Sequence, residues 1–404
     1  MKLTLIAPTE IPARRANTLQ VMKMAQALVN LDHQVWLAAP SPAPGKTGKI
    51  GAVSWEELAH HYGLITPFPI EWLTYHPSLR RYDYAWKAVR RAQSQHADLV
   101  YTRLPQAAWL AAQRGLGTIL EVHDLPQGRM GTWLFRNFLN SPGARRLVVI
   151  TKALADDLSY HFKVQLSEPF TLVAPDGVDL ARYERLPQPP EARRQLAQAR
   201  PDGALAGLPP DQFTIGYTGH LYPGRGRELM LELAARLPEM AFLIVGGEPR
   251  EVETLQAEIR QRGLNNLISA GFVPNAELPL YQAACEALLM PYQHKVEASS
   301  GGDISRYLSP MKLFEYLASE RPIISSDLPV LQEVLNPQNA ILVPTDDLQA
   351  WEGAIRRMQA DPEGRRRLAQ QARSDAEHYT WERRASRILE NLWPAELQAG
   401  SSKS

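Results

Sequence analysis

Lys312 stands one residue into an apolar helical repeat, where a cation opposes the helix dipole. Ser309 followed by Pro310 reads as an N-cap with proline at the first helical position, opening a helix through Met311. Met311, Phe314 and Leu317, with Leu313 flanking, recur at helical spacing. A helix start offers unpaired N–H groups and the positive end of a dipole, which together hold a phosphate. A lysine beside such donors points to an anion between them. Glu315, one turn on, could accept hydrogen bonds from sugar hydroxyls. An ordinary amphipathic helix with a solvated Lys and Glu is the alternative.

Other chemistry-bearing residues fall at strand ends. QFTIGYTGH closes on Gly219-His220, and LYPGRGREL carries Arg225 through a glycine-containing turn into a helix, a geometry that receives phosphates. GTILEVHD ends on His123-Asp124, where a hydrogen-bonded structural histidine is the plainer reading. Arg14, Arg15 and Asn17 lie on the loop after the first strand, at the ligand-binding edge of an open sheet. Glu297 and Asp303 flank Gly301-Gly302 just before the Lys312 helix, as sugar contacts or as solvated loop acids. The Gly45-Lys46-Thr47 run lacks the first glycine of a phosphate loop. No D-x-D pair or metal-ligand cluster is visible, so no metal is expected.

The elements that must position these residues alternate throughout. Apolar runs such as KLTLIA, HQVWLAA, ADLVYTR, RRLVVIT, AFLIV, NLISAG, PIISS and AILVP are separated by helical periodicity. The pattern predicts an α/β protein with parallel sheets and helices on both faces. Its 404 residues suit two domains. Boundaries are expected at 1–183, a Pro/Ala/Gly-rich interdomain region or insert at 184–211, 212–378, a closing helix at 379–394 and a tail at 395–404.

Composition is that of an ordinary globular protein, 45% hydrophobic and 22% charged. One cysteine, Cys285, rules out internal disulfides and fits a reducing compartment. No apolar run approaches bilayer length, and MKLTLIAPTE reads as a core strand rather than a leader, so a cytoplasmic protein is expected. Residues 1–175 hold 19 Lys/Arg against 12 Asp/Glu, a balance of +7, whereas the whole chain is at +1. RRYDYAWKAVRRAQSQ adds five basic residues, one acid and three interleaved aromatics. An anionic acceptor, or peripheral contact with the inner face of a membrane, would use them; a solvated helix over a core is the alternative. No nucleic-acid-type basic cluster occurs.

SPMKLFEYLA followed by PIISSD resembles the nucleotide-sugar site of family-4 glycosyltransferases, retaining enzymes of the GT-B fold, and RRANTLQVMKMAQAL resembles the opening of bacterial members. The resemblance runs from KLTLIAPTE to WERRASRILENLW, which is similar to the family's C-terminal helix crossing back to the first domain. It implies two Rossmann-like domains facing a cleft. It also implies a donor diphosphate on the helix start at Ser309, Pro310, Met311 and Lys312, the ribose on Glu315, and the base near Phe272 and Val273. Arg225 matches a diphosphate-binding Lys, Gly219 and His220 border it, and His220 replaces a common Arg. His123, in EVHD, matches a histidine facing the donor sugar, with Asp124 beside it. Tyr307 stands where the family has a sugar-binding Glu, so Glu297, Asp303 or His123 would serve instead. The implied activity is metal-independent hexosyl transfer in bacterial glycolipid, polysaccharide or glycoside synthesis, with no cofactor. A GT-B nucleotide-sugar epimerase and a non-catalytic nucleotide-sugar binder are the alternatives.

Overall fold

Among the described residues, the strands of both sheets pair in parallel, as the alternating pattern predicts. A computed structural model describes residues 1–42, 53–200, 205, 208–298 and 301–392. The Gly45-Lys46-Thr47 run and the 395–404 tail lie outside the described residues. The chain falls into two units, Met1–Asp176 with Trp381–Ser404, and Gly177–Thr380.

The first unit runs β1 (Lys2–Ile6), α1 (Ala16–Asn30), β2 (Gln34–Pro42), α2 (Trp55–Tyr62), β3 (Ile70–Tyr75), α3 (Tyr82–Ser94) and β4 (Leu99–Thr102). It continues with α4 (Pro105–Gln113), β5 (Gly117–Val122), α5 (Gly128–Leu139), β6 (Ala144–Val149), α6 (Lys152–Phe162) and β7 (Thr171–Val173). Its sheet has the order β3-β2-β1-β4-β5-β6-β7. β4 and β5 are buried throughout, because helices cover both faces and leave no polar side for alternation. The order reverses between β1 and β4, and ligands bind at the carboxyl ends of such a pair.

The second unit runs α7 (Pro189–Ala199), β8 (Thr214–Thr218), α8 (Arg227–Arg236), β9 (Ala241–Val245), α9 (Pro249–Arg262), β10 (Leu267–Gly271) and α10 (Leu278–Ala283). β11 (Ala287–Met290), α11 (Met311–Ala318), β12 (Ile323–Ser326), β13 (Ala340–Val343), α12 (Leu348–Ala360) and α13 (Pro362–Ala376) follow. Its sheet order is β10-β9-β8-β11-β12-β13, with the reversal between β8 and β11. Trp351 and Met230 pack with Phe242 and Ile324 in its core. The last helix, α14 (Trp381–Leu389), belongs to the first unit and packs on α1. Arg146 donates to the carbonyls of Arg387 and Ile388, so a cation satisfies the end of that helix.

Several details depart from the sequence reading. α11 begins at Met311 with Pro310, not Ser309, at the cap position, and no side chain caps it. Pro310 takes ψ 124°, an extended backbone, so the helix starts after the proline rather than on it. α11 is also buried nearly all round, Lys312 and Glu315 included, which removes the amphipathic alternative. The 184–211 stretch, by contrast, holds α7 as the one helical piece its sequence suggests, with Arg193 donating to Ala284 O at 2.7 Å and Glu286 at 2.9 Å. β5 stops at Val122, leaving His123-Asp124 in the loop beyond it.

Candidate functional site

At the second unit's reversal point, four of the expected residues meet. Gly219 follows β8 at φ 134°, and a Cβ there would lie 3.0 Å from Lys312 Nζ, so glycine leaves the lysine its place. The turn into α8 puts Arg225 over the rings of Tyr222 and Tyr292, at 5.5 and 5.7 Å from their centroids. Its Nη1 also donates to Tyr292 Oη at 3.4 Å. Lys312 Nζ lies 3.6 Å from the Tyr217 centroid and 5.3 Å from that of Tyr292. Tyr292, two residues past β11, therefore touches both cations.

Lys312 is 7% exposed, and among the described residues neither its Nζ nor the buried Nε of Arg225 has a hydrogen-bond partner. Burial, then repulsion from Arg225, holds the lysine well below its usual range against the pull of Glu315. His220 stacks on Tyr222 with centroids 4.7 Å apart. Burial, then Arg225 and Lys312, lowers it to about 4, so its ring is neutral at pH 7. A buried ammonium without a hydrogen-bond partner is costly, and an anion beside it would offset that cost. The uncapped start of α11 adds backbone N–H donors to the same place.

Glu315 is 8% exposed and held on both oxygens, accepting from Asn275 Nδ2 at 3.2 Å and Gln282 Nε2 at 3.5 Å. Asn275 is itself fixed by Arg182 Nη1 at 2.7 Å. Val273 is buried and Phe272 half-buried just past β10. Glu297 and Asp303 pair across an antiparallel bridge. Asp303 Oδ1 accepts from the backbone N–H of Val296 and of Ser305, both at 3.0 Å, so this carboxylate braces its own turn. Tyr307 is buried and its Oη donates to Asp303 O at 3.4 Å.

The first unit gathers a second cluster around Glu121, which is 1% exposed. Its Oε1 accepts from Gln20 Nε2 at 2.7 Å, Arg384 Nη2 at 2.8 Å and His123 Nε2, and its Oε2 accepts from Tyr101 Oη. Arg384 also donates to Pro175 O at 2.8 Å and Ala174 O at 3.1 Å, pinning α14 to the chain after β7. Burial and the Arg103 charge take His123 down to about 4 despite Glu121. The neutral ring therefore gives its Nε2–H to Glu121 and leaves Nδ1 as an acceptor. Burial raises the Asp176 carboxyl to about 7, in spite of Arg384 and with help from Glu121. Glu121, His123 and Asp176 each bring a possible ligand atom within 4.8 Å of the others. Glu121 is already bonded to four side chains, so a buried ionic network describes the cluster. Asp124 Oδ1 accepts from Leu125 N at 2.7 Å. Arg14 and Arg15 are exposed before α1, and Asn17 Oδ1 accepts from Thr9 Oγ1 at 3.2 Å.

The model of glycosyl transferases group 1 matches residues 205–375, and that of Glycosyltransferase Family 4 matches residues 19–182, together most of the chain. The chain belongs to the family-4 glycosyltransferases. It is 27% identical over 236 residues to a D-inositol 3-phosphate glycosyltransferase of Jonesia denitrificans, covering 55% of this chain and 50% of that protein. The corresponding Xylanimonas cellulosilytica protein is 26% identical over 318 residues, covering 72% and 71%. Among solved structures, Anabaena HepE in complex with UDP superposes with TM-score 0.69 at 18% identity, covering 97% of this chain and 99% of that one. Sucrose-phosphate synthase of Thermosynechococcus elongatus gives 0.68 at 19%, covering 100% and 98%. These likenesses establish the GT-B fold.

Within this family-4 glycosyltransferase, sequence reasoning missed the three tyrosines under the cations, the Asn275–Gln282 pair holding Glu315, and the partners of His123. Tyr217 was readable as a strand residue only. Glu121 carried a signal, a carboxylate inside a run of otherwise buried strand residues.

Proposed function

We propose that this glycosyltransferase moves a hexosyl group from a nucleotide-diphosphate sugar to an acceptor with retention of anomeric configuration and without a metal ion. The observation that carries the reading is Lys312 Nζ at the start of α11, buried, without a hydrogen-bond partner among the described residues and within the field of Arg225. As the glycosidic bond breaks, negative charge grows on the β-phosphate, and fixed donors aimed there lower the barrier. Lys312, Arg225 and the α11 backbone N–H groups would supply that charge, the part a divalent metal plays elsewhere. Glu315, already held by Asn275 and Gln282, would take the ribose hydroxyls, and the segment around Phe272 and Val273 the base. The solved neighbours with UDP make UDP-sugars the first donors to try. Proton NMR of the product made from an α-linked donor tests the reading: an α product supports retention, and a β product contradicts it. Conversion of the donor into an epimeric nucleotide sugar without any acceptor would favour an epimerase.

A further inference from the structure

We propose that the helical layer α3–α4–α5 of the first unit is a docking surface for an anionic lipid bilayer. Five of the eight large hydrophobic side chains exposed among the described residues lie on this layer or at its entry. They are Leu79 (50%), Tyr82 (38%), Trp86 (43%), Met130 (56%) and Trp133 (45%). α3 packs on α4 and α4 on α5, so the three helices form one continuous face. Trp109 of α4 joins Trp133 edge to face at 4.9 Å, which extends the aromatic surface between them.

Charge selects the occupant. Residues 77–94, 105–113 and 128–139 carry seven Lys/Arg and one acid, Asp83. That acid is spent on the backbone N–H of His76 at 2.8 Å. Some of the cations are also committed: Arg91 pairs with Glu71 at 3.2 Å and Lys87 donates to Thr74 O at 2.7 Å. Arg80, Arg90 and Arg129 remain at the exposed positions, Arg90 lying over the Trp86 ring at 4.8 Å. Tryptophan and tyrosine prefer the boundary between hydrocarbon and water, and arginine is drawn to anionic head groups. The apolar groups sit on helices roughly 10 Å apart rather than in one contiguous patch. A fluid lipid surface accepts that spacing, whereas a rigid protein partner requires a packed apolar centre. No helix among the described residues is long and apolar enough to span a membrane, so the contact is peripheral.

The full chain is to be sedimented with vesicles of phosphatidylcholine alone and with about one quarter phosphatidylglycerol. Binding is expected only with phosphatidylglycerol, weakening in salt, with a blue shift of tryptophan emission. Arg90→Gln with Arg129→Gln should weaken it about twenty-fivefold, each cation adding roughly fivefold near an anionic surface. Trp86→Ser with Trp133→Ser should abolish the blue shift. These side chains are exposed, so donor-induced thermal shifts should be unchanged in both variants, which separates this surface from the donor site. No binding, equal binding to both vesicles, or binding unaltered in both variants overturns the proposal. So does a dimer in solution that the tryptophan variant dissolves, which would make a second copy the occupant.

Discussion

Lys312 and Arg225 share Tyr292, and the consequences can be read one residue at a time. Arg225→Ala and Lys312→Ala should each lower kcat by roughly ten- to a thousandfold, the usual cost of removing charge stabilisation from a transition state. Near-normal turnover in steady-state assays would remove that residue from the site. Lys312 titrates below the ordinary lysine range, so its charge is lost earlier as pH rises. The alkaline fall in kcat/KM, which reports the free enzyme, should lie below a free lysine's pKa and move up in Lys312→Arg. An unmoved limb would assign that titration elsewhere. Tyr292→Phe keeps the ring beneath both cations and loses one 3.4 Å hydrogen bond, whereas Tyr292→Leu loses both. The leucine variant should lose roughly tenfold in kcat and the phenylalanine variant little. Lys312 was legible in the sequence because it breaks an expectation at a helix start, and Arg225 because a glycine-containing turn carries it into a helix. The tyrosines were not, because aromatics near strand ends commonly serve packing and only the fold brings three of them under the two cations. The Ser309 cap was misread because serine before proline fits two positions equally well.

At the scale of elements, α14 adds the buried Arg384–Glu121 ion pair to its hydrogen bonds with Arg146 and with the carbonyls of Ala174 and Pro175. Arg384→Met leaves Glu121 ionised, buried and short of a partner, which should cost about 3–5 kcal/mol in urea unfolding. A loss under about 1 kcal/mol would show that the ion pair does not fasten the helix. Burial lifts the folded Asp176 carboxyl to about 7, well above the ordinary aspartate range. The folded state then binds more protons than the unfolded one between about 4 and 7, and this residue's contribution falls as pH rises through that window. His123, lowered to about 4 from 6.5, works in the opposite direction. Asp176→Asn should therefore gain stability relative to the wild type as pH goes from about 4.5 to 7, measured by denaturation at both values. A pH-independent gap would contradict this. The strands were legible because buried parallel strands are bare apolar runs. α2, α9 and α13 went unread although Ser54, Glu248 and Asp361 open them with capping signals. α5 opens on Gly128 and contains Gly131, and its sequence gives no start signal.

For the molecule as a whole, two parallel sheets with reversals at β1/β4 and β8/β11 explain why the chemistry-bearing residues sit at strand ends. The unequal charge of the two halves and the basic, aromatic run at 80–95 were legible in the sequence, but the joining of that run with α4 and α5 into one layer was not. That layer depends on which faces of α3, α4 and α5 the core consumes. If buried cations replace a metal, turnover should survive EDTA, and complete loss restored by Mg²⁺ or Mn²⁺ would contradict it. The central claim is that Lys312 and Arg225 form a diphosphate site, and titration calorimetry of UDP, GDP and ADP tests it most directly, with the matching nucleosides as controls. At least one nucleoside diphosphate should bind the wild type and weaken by about ten- to a hundredfold in Arg225→Ala and in Lys312→Ala, with nucleoside affinity unchanged. No binding by any of the three, or equal affinity in the wild type and both variants, would contradict it.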